Sequence, residues 1–124
     1  MITKARGQFR RGTMNRTEEA YAQRLELLRR AGEIEWYRFE GIKLRLADNT
    51  FFTPDFFVML PNGELEVHEV KGSLTYIQDD AMVKIKVSAE LFPLRFFLIA
   101  PALKRDGGGW KIKEVGNGGK CSRA

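Results

Sequence analysis

Cysteine and histidine are nearly absent from this chain of 124 residues, which has one of each. Cys121 lies in a tail rich in Gly, Lys and Ser, so neither a disulfide framework nor a thiolate zinc site can form within one chain. No apolar stretch near the N-terminus resembles a signal-peptide core, and no apolar run approaches the roughly 20 residues that span a bilayer. We therefore expect a soluble, cytosolic protein without membrane contact.

Positive charge is concentrated at the start of the chain. The net charge is +5, and five basic residues precede the first acidic one: Lys4, Arg6, Arg10, Arg11 and Arg16. After Arg16, basic and acidic residues are equal in number. This asymmetry predicts a flexible basic arm over residues 1–14 that contacts phosphate groups electrostatically. A solvated tail without a ligand is the alternative.

The rest of the chain is long enough for one hydrophobic core and too short for two. Helical spacing of apolar residues predicts helices over 15–31 and 78–92. Strand patterns bounded by turn residues cover 34–47, 51–60, 64–71, 95–100 and 110–115. The order α-β-β-β-α-β-β predicts an α/β fold, a central mixed β-sheet flanked by helices, as a single domain over 15–116 with a flexible tail over 117–124.

The turn Pro61-Asn62-Gly63 sets the register of the two central strands. Pro suits the first central position of a type I turn, Asn the second, and Gly the left-handed residue of a G1 bulge. This three-residue loop places Asp55 opposite Glu69, with Lys71 on the same face. A two-residue Asn62-Gly63 turn is the alternative, and it would set Asp55 opposite Val70.

Asp55, Glu69 and Lys71 then lie at one end of an otherwise apolar face that carries Phe57 and Val67. We expect the first helix to cover that face and to present Glu18. Two neighbouring carboxylates repel each other, and a hard cation such as Mg²⁺ between them removes the conflict. Such a cation polarises a phosphodiester and lowers the pKa of an attacking water.

The side chains around the cation would complete this chemistry. Lys71 would orient the attacking water or stabilise the charge that builds on phosphorus. Glu18 would complete the metal shell or accept a proton from the water. The pattern therefore predicts metal-dependent phosphodiester cleavage.

Each of these residues also has a purely structural interpretation. Glu18 follows Asn15 by three residues and could close a capping box at the start of the helix. Asp55 after Pro54 could be a turn residue, and Glu69 with Lys71 could form an exposed ion pair.

Five further polar residues have simpler predictions. His68 falls on the opposite face from Glu69, and we expect it at the surface. Asp79 or Asp80 is expected to cap the second helix rather than to bind metal. Lys84 and Lys86 form either a solvated face or a phosphate-binding ridge, and the sequence does not decide between these.

Glu18 on a first helix, Pro54-Asp55 and Glu69-Val70-Lys71 together resemble the motif of the PD-(D/E)xK nucleases, over about residues 15–100. The small size, the basic arm and the Lys-rich second helix are most similar to archaeal-type Holliday junction resolvases, including phage-encoded relatives. The resemblance implies a restriction-endonuclease-like core in a homodimer. Such an enzyme uses Mg²⁺, with Mn²⁺ as a substitute, to make paired nicks in four-way DNA junctions.

The resemblance also implies roles for individual residues. The metal ligands would be Asp55, Glu69 and the main-chain carbonyl of Val70, with Glu18 as a further candidate. Catalysis would involve Glu18, Asp55, Glu69 and Lys71. The predicted DNA contacts come from seven basic residues: Lys4, Arg6, Arg10, Arg11, Arg16, Lys84 and Lys86.

Two other functions stay open at this point. The first is a nuclease of the same fold that acts on flaps, branched ends or a restriction site. The second is a non-catalytic DNA-binding protein on the same scaffold. The paired carboxylates disfavour a pure binder, because without a cation they oppose the approach of phosphate.

Overall fold

A computed structural model describes residues 12–75 and 77–116. Within them lie the helices α1 (Arg16–Arg30) and α2 (Asp79–Leu91), a short 3-10 turn (Lys104–Asp106), and seven strands. The strands are β1 (Trp36–Phe39), β2 (Leu44–Ala47), β3 (Thr50–Phe52), β4 (Phe56–Met59), β5 (Leu65–Val70), β6 (Arg95–Pro101) and β7 (Trp110–Val115). The predicted α/β class is confirmed. Residues 1–11 of the arm and the tail over 117–124 lie outside the described residues.

Five strands form a mixed sheet in the order β1-β4-β5-β6-β7. β5 and β6 are parallel, and the other neighbours are antiparallel. Parallel neighbours need a long crossover, and α2 supplies it between β5 and β6. β2 and β3 form a separate two-stranded sheet.

Local sequence signals account for both ends of α1. The Asn15 side chain accepts the N–H of Glu18, and the Glu18 side chain accepts the N–H of Asn15, which forms a capping box. Gly32 follows the helix with φ +80, a conformation that favours glycine. Tyr21 and Leu25 on the predicted stripe are fully buried. Among the described residues, no helix has the length and apolar character needed to cross a bilayer.

The second helix matches its predicted range, and its predicted apolar face lies in the core, with Met82, Ile85, Ala89 and Phe92. The capping prediction is wrong. Gln78 occupies the N-cap position without a side-chain hydrogen bond, and Asp79 and Asp80 lie in the first turn. Carboxylates in the first turn still interact favourably with the helix dipole.

Two predicted strands are each split in the structure. The stretch 34–47 becomes β1 and β2, and 51–60 becomes β3 and β4, so seven strands replace the five expected. The first break lies at Glu40-Gly41, where Glu40 has φ +51 and a Cβ on Gly41 would lie 2.6 Å from Cβ of Arg38. The second lies at Thr53–Asp55. Apolar residues flank both breaks, so each stretch was predicted as one strand.

The predicted register of the central pair is confirmed. Phe57 pairs with Val67, and Met59 pairs with Leu65. Gly63 has φ +92 and its N–H donates to the carbonyl of Leu60, as a three-residue loop with a left-handed glycine requires. The two-residue turn is therefore excluded.

The sheet is covered on both faces. α1 packs on the face that carries Phe56, Val58 and Val70, whereas Phe57 and Val67 belong to the core under α2 and the β2–β3 hairpin. The prediction that α1 covers the Phe57 and Val67 face is wrong. Both faces of β4 and β5 are apolar, as in strands buried on two sides, so alternation did not show which helix covers which face.

His68 is buried under α1, and the prediction of a surface histidine is wrong. Only 8% of the residue is exposed. Its Nδ1 lies 2.7 Å from the hydroxyl of Tyr21, and its Nε2 lies 2.9 Å from Oε1 of Glu66. An ionised carboxylate only accepts, so Nε2 carries a proton, and in the neutral ring Nδ1 accepts from Tyr21. Burial raises the pKa of Tyr21 to about 12, so the hydroxyl keeps its proton. This bond ties α1 to β5.

Tyr21→Phe removes the hydroxyl and leaves Nδ1 of His68 buried without that partner. We expect a loss of about 1–3 kcal/mol in the free energy of unfolding, measured by urea denaturation. Tyr37→Phe is the matched control, because the Tyr37 hydroxyl donates to Glu26 in a partly exposed position. The control should lose about 0.5 kcal/mol or less. Equal losses in the two variants would contradict the proposed role of the buried pair.

Candidate active site

Asp55, Glu69 and Lys71 lie together at one end of the neighbouring strands β4 and β5. Asp55 immediately precedes β4, Glu69 is in β5, and Lys71 follows β5 directly. The backbone fixes both ends of this group. The carbonyl of Asp55 accepts the N–H of Glu40 at 2.7 Å, and the N–H of Lys71 donates to the carbonyl of Ile99 at 2.7 Å.

The two carboxylates are held by each other's strand. The N–H of Asp55 donates to Oε1 of Glu69 at 3.0 Å, and the N–H of Val70 donates to Oδ2 of Asp55 at 2.8 Å. Each side chain therefore has its orientation fixed by a backbone donor on the neighbouring strand. The predicted juxtaposition of Asp55 with Glu69 is confirmed.

Lys71 completes the group. Its Nζ lies 3.3 Å from Oε2 of Glu69, and the side chains of Lys71 and Glu69 are 29% and 12% exposed. This ion pair is therefore mostly enclosed. The alternative in which Glu69 and Lys71 form an exposed ion pair does not describe it. The Lys71 side chain is partly exposed and therefore accessible to a ligand.

Burial and mutual repulsion perturb both acids. Burial is the main cause that raises the pKa of Asp55 to about 8; the charges of Glu69 and Glu18 contribute in the same direction, while the N–H of Val70 opposes the shift. Burial also raises the pKa of Glu69, against the opposing effect of Lys71. The two groups therefore resist ionising together unless positive charge is added.

Glu18 is placed both as a cap and as a neighbour of the site. Its Oε1 accepts the N–H of Asn15 at 2.9 Å, so the capping-box interpretation is confirmed. Its carboxylate also acts on the pKa of Asp55 and of Glu69. Glu18 therefore lies close enough for its charge to act on the paired acids, but the three carboxylates do not converge on one point.

The donor set suits a hard divalent cation. Asp55 and Glu69 each commit one oxygen to a backbone N–H; Asp55 keeps Oδ1, whereas Oε2 of Glu69 lies 3.3 Å from Nζ of Lys71 and would be shared between the ammonium group and a cation. Mg²⁺ is typically bound by one or two carboxylates, with water and phosphate oxygens as the other ligands. Within residues 12–75 and 77–116, no three His, Cys, Asp or Glu side chains converge to hold a metal by themselves. Water and substrate would thus have to supply ligands.

The predicted DNA-contacting residues are dispersed. Arg16 is exposed in the first turn of α1, and Lys86 is exposed on α2 with Lys84 half-buried beside it. α1 and α2 cover opposite faces of the sheet. Lys4, Arg6, Arg10 and Arg11 lie outside the described residues.

A cleft beside the acids was not found from the sequence. It has a volume of about 470 Å³ and is lined by Gly12, Phe39, Glu40, Gly41, Ile42, Lys43 and Thr53. Treating 34–47 as one strand concealed it, because the cleft forms where the chain leaves β1. The signal that could have revealed it is the pair Glu40-Gly41, which interrupts the apolar alternation.

Comparison of the chain with protein-family models, with curated proteins and with solved structures gives no match.

The raised pKa of Asp55 predicts a specific pH dependence of stability without metal. The folded protein keeps a proton on Asp55 up to about pH 8, whereas the ordinary value is 3.8. The folded state therefore binds more protons than the unfolded chain between those values, and the free energy of unfolding falls as pH rises through that window. Asp55→Asn should make this decline shallower and stabilise the protein at pH 8 by about 0.5–2 kcal/mol.

Denaturant unfolding in EDTA at several pH values measures this effect. Asp106→Asn is the control, because Asp106 is exposed in the 3-10 turn. Its pH profile should match that of the parent. An unchanged slope in Asp55→Asn would show that Asp55 does not hold the proton.

Proposed function

We propose that the protein is a metal-dependent, structure-selective DNA endonuclease, with four-way junctions as its substrate. The observation that carries this proposal is the reciprocal pair of Asp55 and Glu69, two enclosed acids with raised pKa values, with Lys71 3.3 Å from Glu69. The order of α1, an antiparallel β1-β4-β5 set, α2 and parallel β6 supports a restriction-endonuclease-like core.

Each of the chain's own residues would have a separate role at the phosphodiester. Asp55, Glu69 and the Val70 carbonyl would hold the cation. When bound, Mg²⁺ or Mn²⁺ supplies charge stabilisation at the phosphoryl oxygen and lowers the pKa of water. Lys71 donates hydrogen bonds to the oxygen that gains negative charge as the water oxygen bonds to phosphorus and the opposite P–O bond breaks. Glu18 retains Oε2, outside the capping box, to accept the proton that the water loses.

A non-catalytic DNA-binding protein is less well supported. Paired carboxylates beside phosphate oppose binding, and their burial costs stability. A binder would gain nothing from holding two such acids with backbone donors. A nuclease of the same fold with another DNA substrate needs the same site, and only the choice of substrate separates it from a resolvase.

Paired nicks require two active sites, so we include a homodimer in the proposal. Three apolar side chains at i, i+4 and i+8 are exposed on the outward face of α2: Val83, Val87 and Leu91. A two-fold axis that sets two α2 helices antiparallel about Val87 would place Val83 against Leu91 of the partner subunit. It would also place Lys86 near Glu90 of the partner subunit, so the stripe is complementary to itself in charge.

Cleavage of labelled DNA tests the activity and the site. With Mg²⁺, we expect nicks in a four-way junction, little cleavage of linear duplex, and none in EDTA. Lys71→Ala should lower the cleavage rate roughly 100-fold or more, because it removes a donor to the developing charge. Junction binding in EDTA should stay within about threefold, and Lys104→Ala, an exposed control, should cut as the parent does.

Two results would contradict this proposal at different levels. Equal cleavage of linear duplex would replace the resolvase with a nuclease of another specificity. Full activity of Lys71→Ala would show that the assigned site is wrong.

Light scattering after size exclusion tests the dimer. Leu91→Asp should raise the dimer dissociation constant about tenfold or more, since it places a charge in the apolar stripe. Leu27→Asp introduces the same charge at an exposed leucine of α1 and should leave the dimer intact. A monomeric parent, or equal effects of the two variants, would exclude this interface.

A further inference from the structure

The cleft that contains Glu40 begins one strand away from the paired acids. Glu40 follows β1, and its N–H donates to the carbonyl of Asp55 at 2.7 Å. Thr53, on the other side of the cleft, precedes Asp55 by two residues. Neighbouring strands lie about 4.8 Å apart. A DNA strand with one phosphate at Asp55 that continues across β1 would therefore bring its next nucleotide to this cleft.

The walls of the cleft suit a nucleobase better than a phosphate. Phe39 and Ile42 supply aromatic and apolar surface, and the volume of about 470 Å³ lies within the roughly 300–1,000 Å³ of ligand sites. Aromatic side chains stack on bases of any sequence. The carboxylate of Glu40 repels phosphate, so the charged part of a nucleotide is directed elsewhere.

The position of Glu40 is specified by the backbone around it. Its φ of +51 is rare for a residue other than glycine, and Gly41 beside it has no room for a Cβ. Strain of this kind is often retained at functional sites. Oε1 of Glu40 accepts the N–H of Gly12 at 3.1 Å, and Oε2 has no partner among the described residues. The cleft thus holds a carboxylate oxygen that can accept from a ligand.

Lys43 lies at the other side of the cleft and provides the opposite charge. Its Nζ is 4.5 Å from the centre of the Phe51 ring; both residues are exposed, Lys43 directly before β2 and Phe51 in β3. The ammonium group is therefore positioned by a cation–π contact while it stays open to solvent. It suits the phosphate on the far side of the bound nucleoside.

We propose that this cleft binds the nucleobase adjacent to the cleaved phosphodiester, and that Glu40 selects bases with an exocyclic amine, an inference that rests on the proposed nuclease function. Adenine, cytosine and guanine carry such a donor, and thymine does not. Glu40 accepts from the amine as a carboxylate accepts from cytosine N4. The protein would then show a base preference at one position beside the nick.

Cleavage of a junction library tests the proposal, with the two bases on each side of the nick randomised and the products sequenced. At one of these positions, the parent should disfavour thymine roughly fivefold or more. Glu40→Gln can still accept from Gly12 through its amide oxygen, but its amide nitrogen donates, so thymine should be tolerated or preferred there. Glu35→Gln, at the opposite end of β1, should keep the parent's preference.

The outcomes separate this proposal from the proposed function. Cleavage with the same base profile in the parent and in Glu40→Gln would overturn the cleft assignment and leave the nuclease intact. If no DNA is cut, the nuclease proposal fails. Binding of the same library in EDTA then tests whether the cleft binds a base. A bias against thymine in the bound sequences that Glu40→Gln removes supports the base site, and unbiased binding overturns it.

Discussion

The structure depends most on one constraint, the placement of two acids side by side in an enclosed position. Asp55 and Glu69 repel each other, and burial alone raises the pKa of both. Each is nevertheless held in place by a backbone N–H of the other strand. The arrangement costs stability without a cation and becomes favourable with one, because added positive charge allows both groups to ionise. The pairing therefore supports the proposed cation-binding site.

The surrounding fold provides the rigidity that such a site requires. The buried bond between Tyr21 and His68 ties α1 to β5 one residue before Glu69, and Glu18 lies one helical turn before Tyr21. The capping box fixes the start of the same helix. A change in the packing of α1 would therefore reach Glu18 and the paired acids together. Along α1 and β5, the residues of the stabilising contact, Tyr21 and His68, are therefore close in sequence to the site residues Glu18 and Glu69.

Much of this arrangement could be predicted from sequence because local chemistry determines it. The turn at 61–63 specifies the register, and the register places Asp55 opposite Glu69. Caps and apolar spacing specify α1 and the extent of α2. The burial of His68 could not be predicted, because it depends on which helix covers which of two apolar faces. The cleft was not predicted either: Glu40-Gly41 interrupts the apolar alternation, but that interruption alone does not specify how the chain turns between β1 and β2.

Pro54 lies between the predicted pair of acids and the cleft that was not predicted. It is fully buried and has no N–H, so it ends the strand pairing on both sides and separates β3 from β4. The next residue, Asp55, has its N–H directed to the side-chain carboxylate of Glu69 rather than to a backbone carbonyl. The same break lets Thr53 diverge toward the cleft. One proline thus lies at the break between β3 and β4, with the cleft residue Thr53 before it and Asp55 after it.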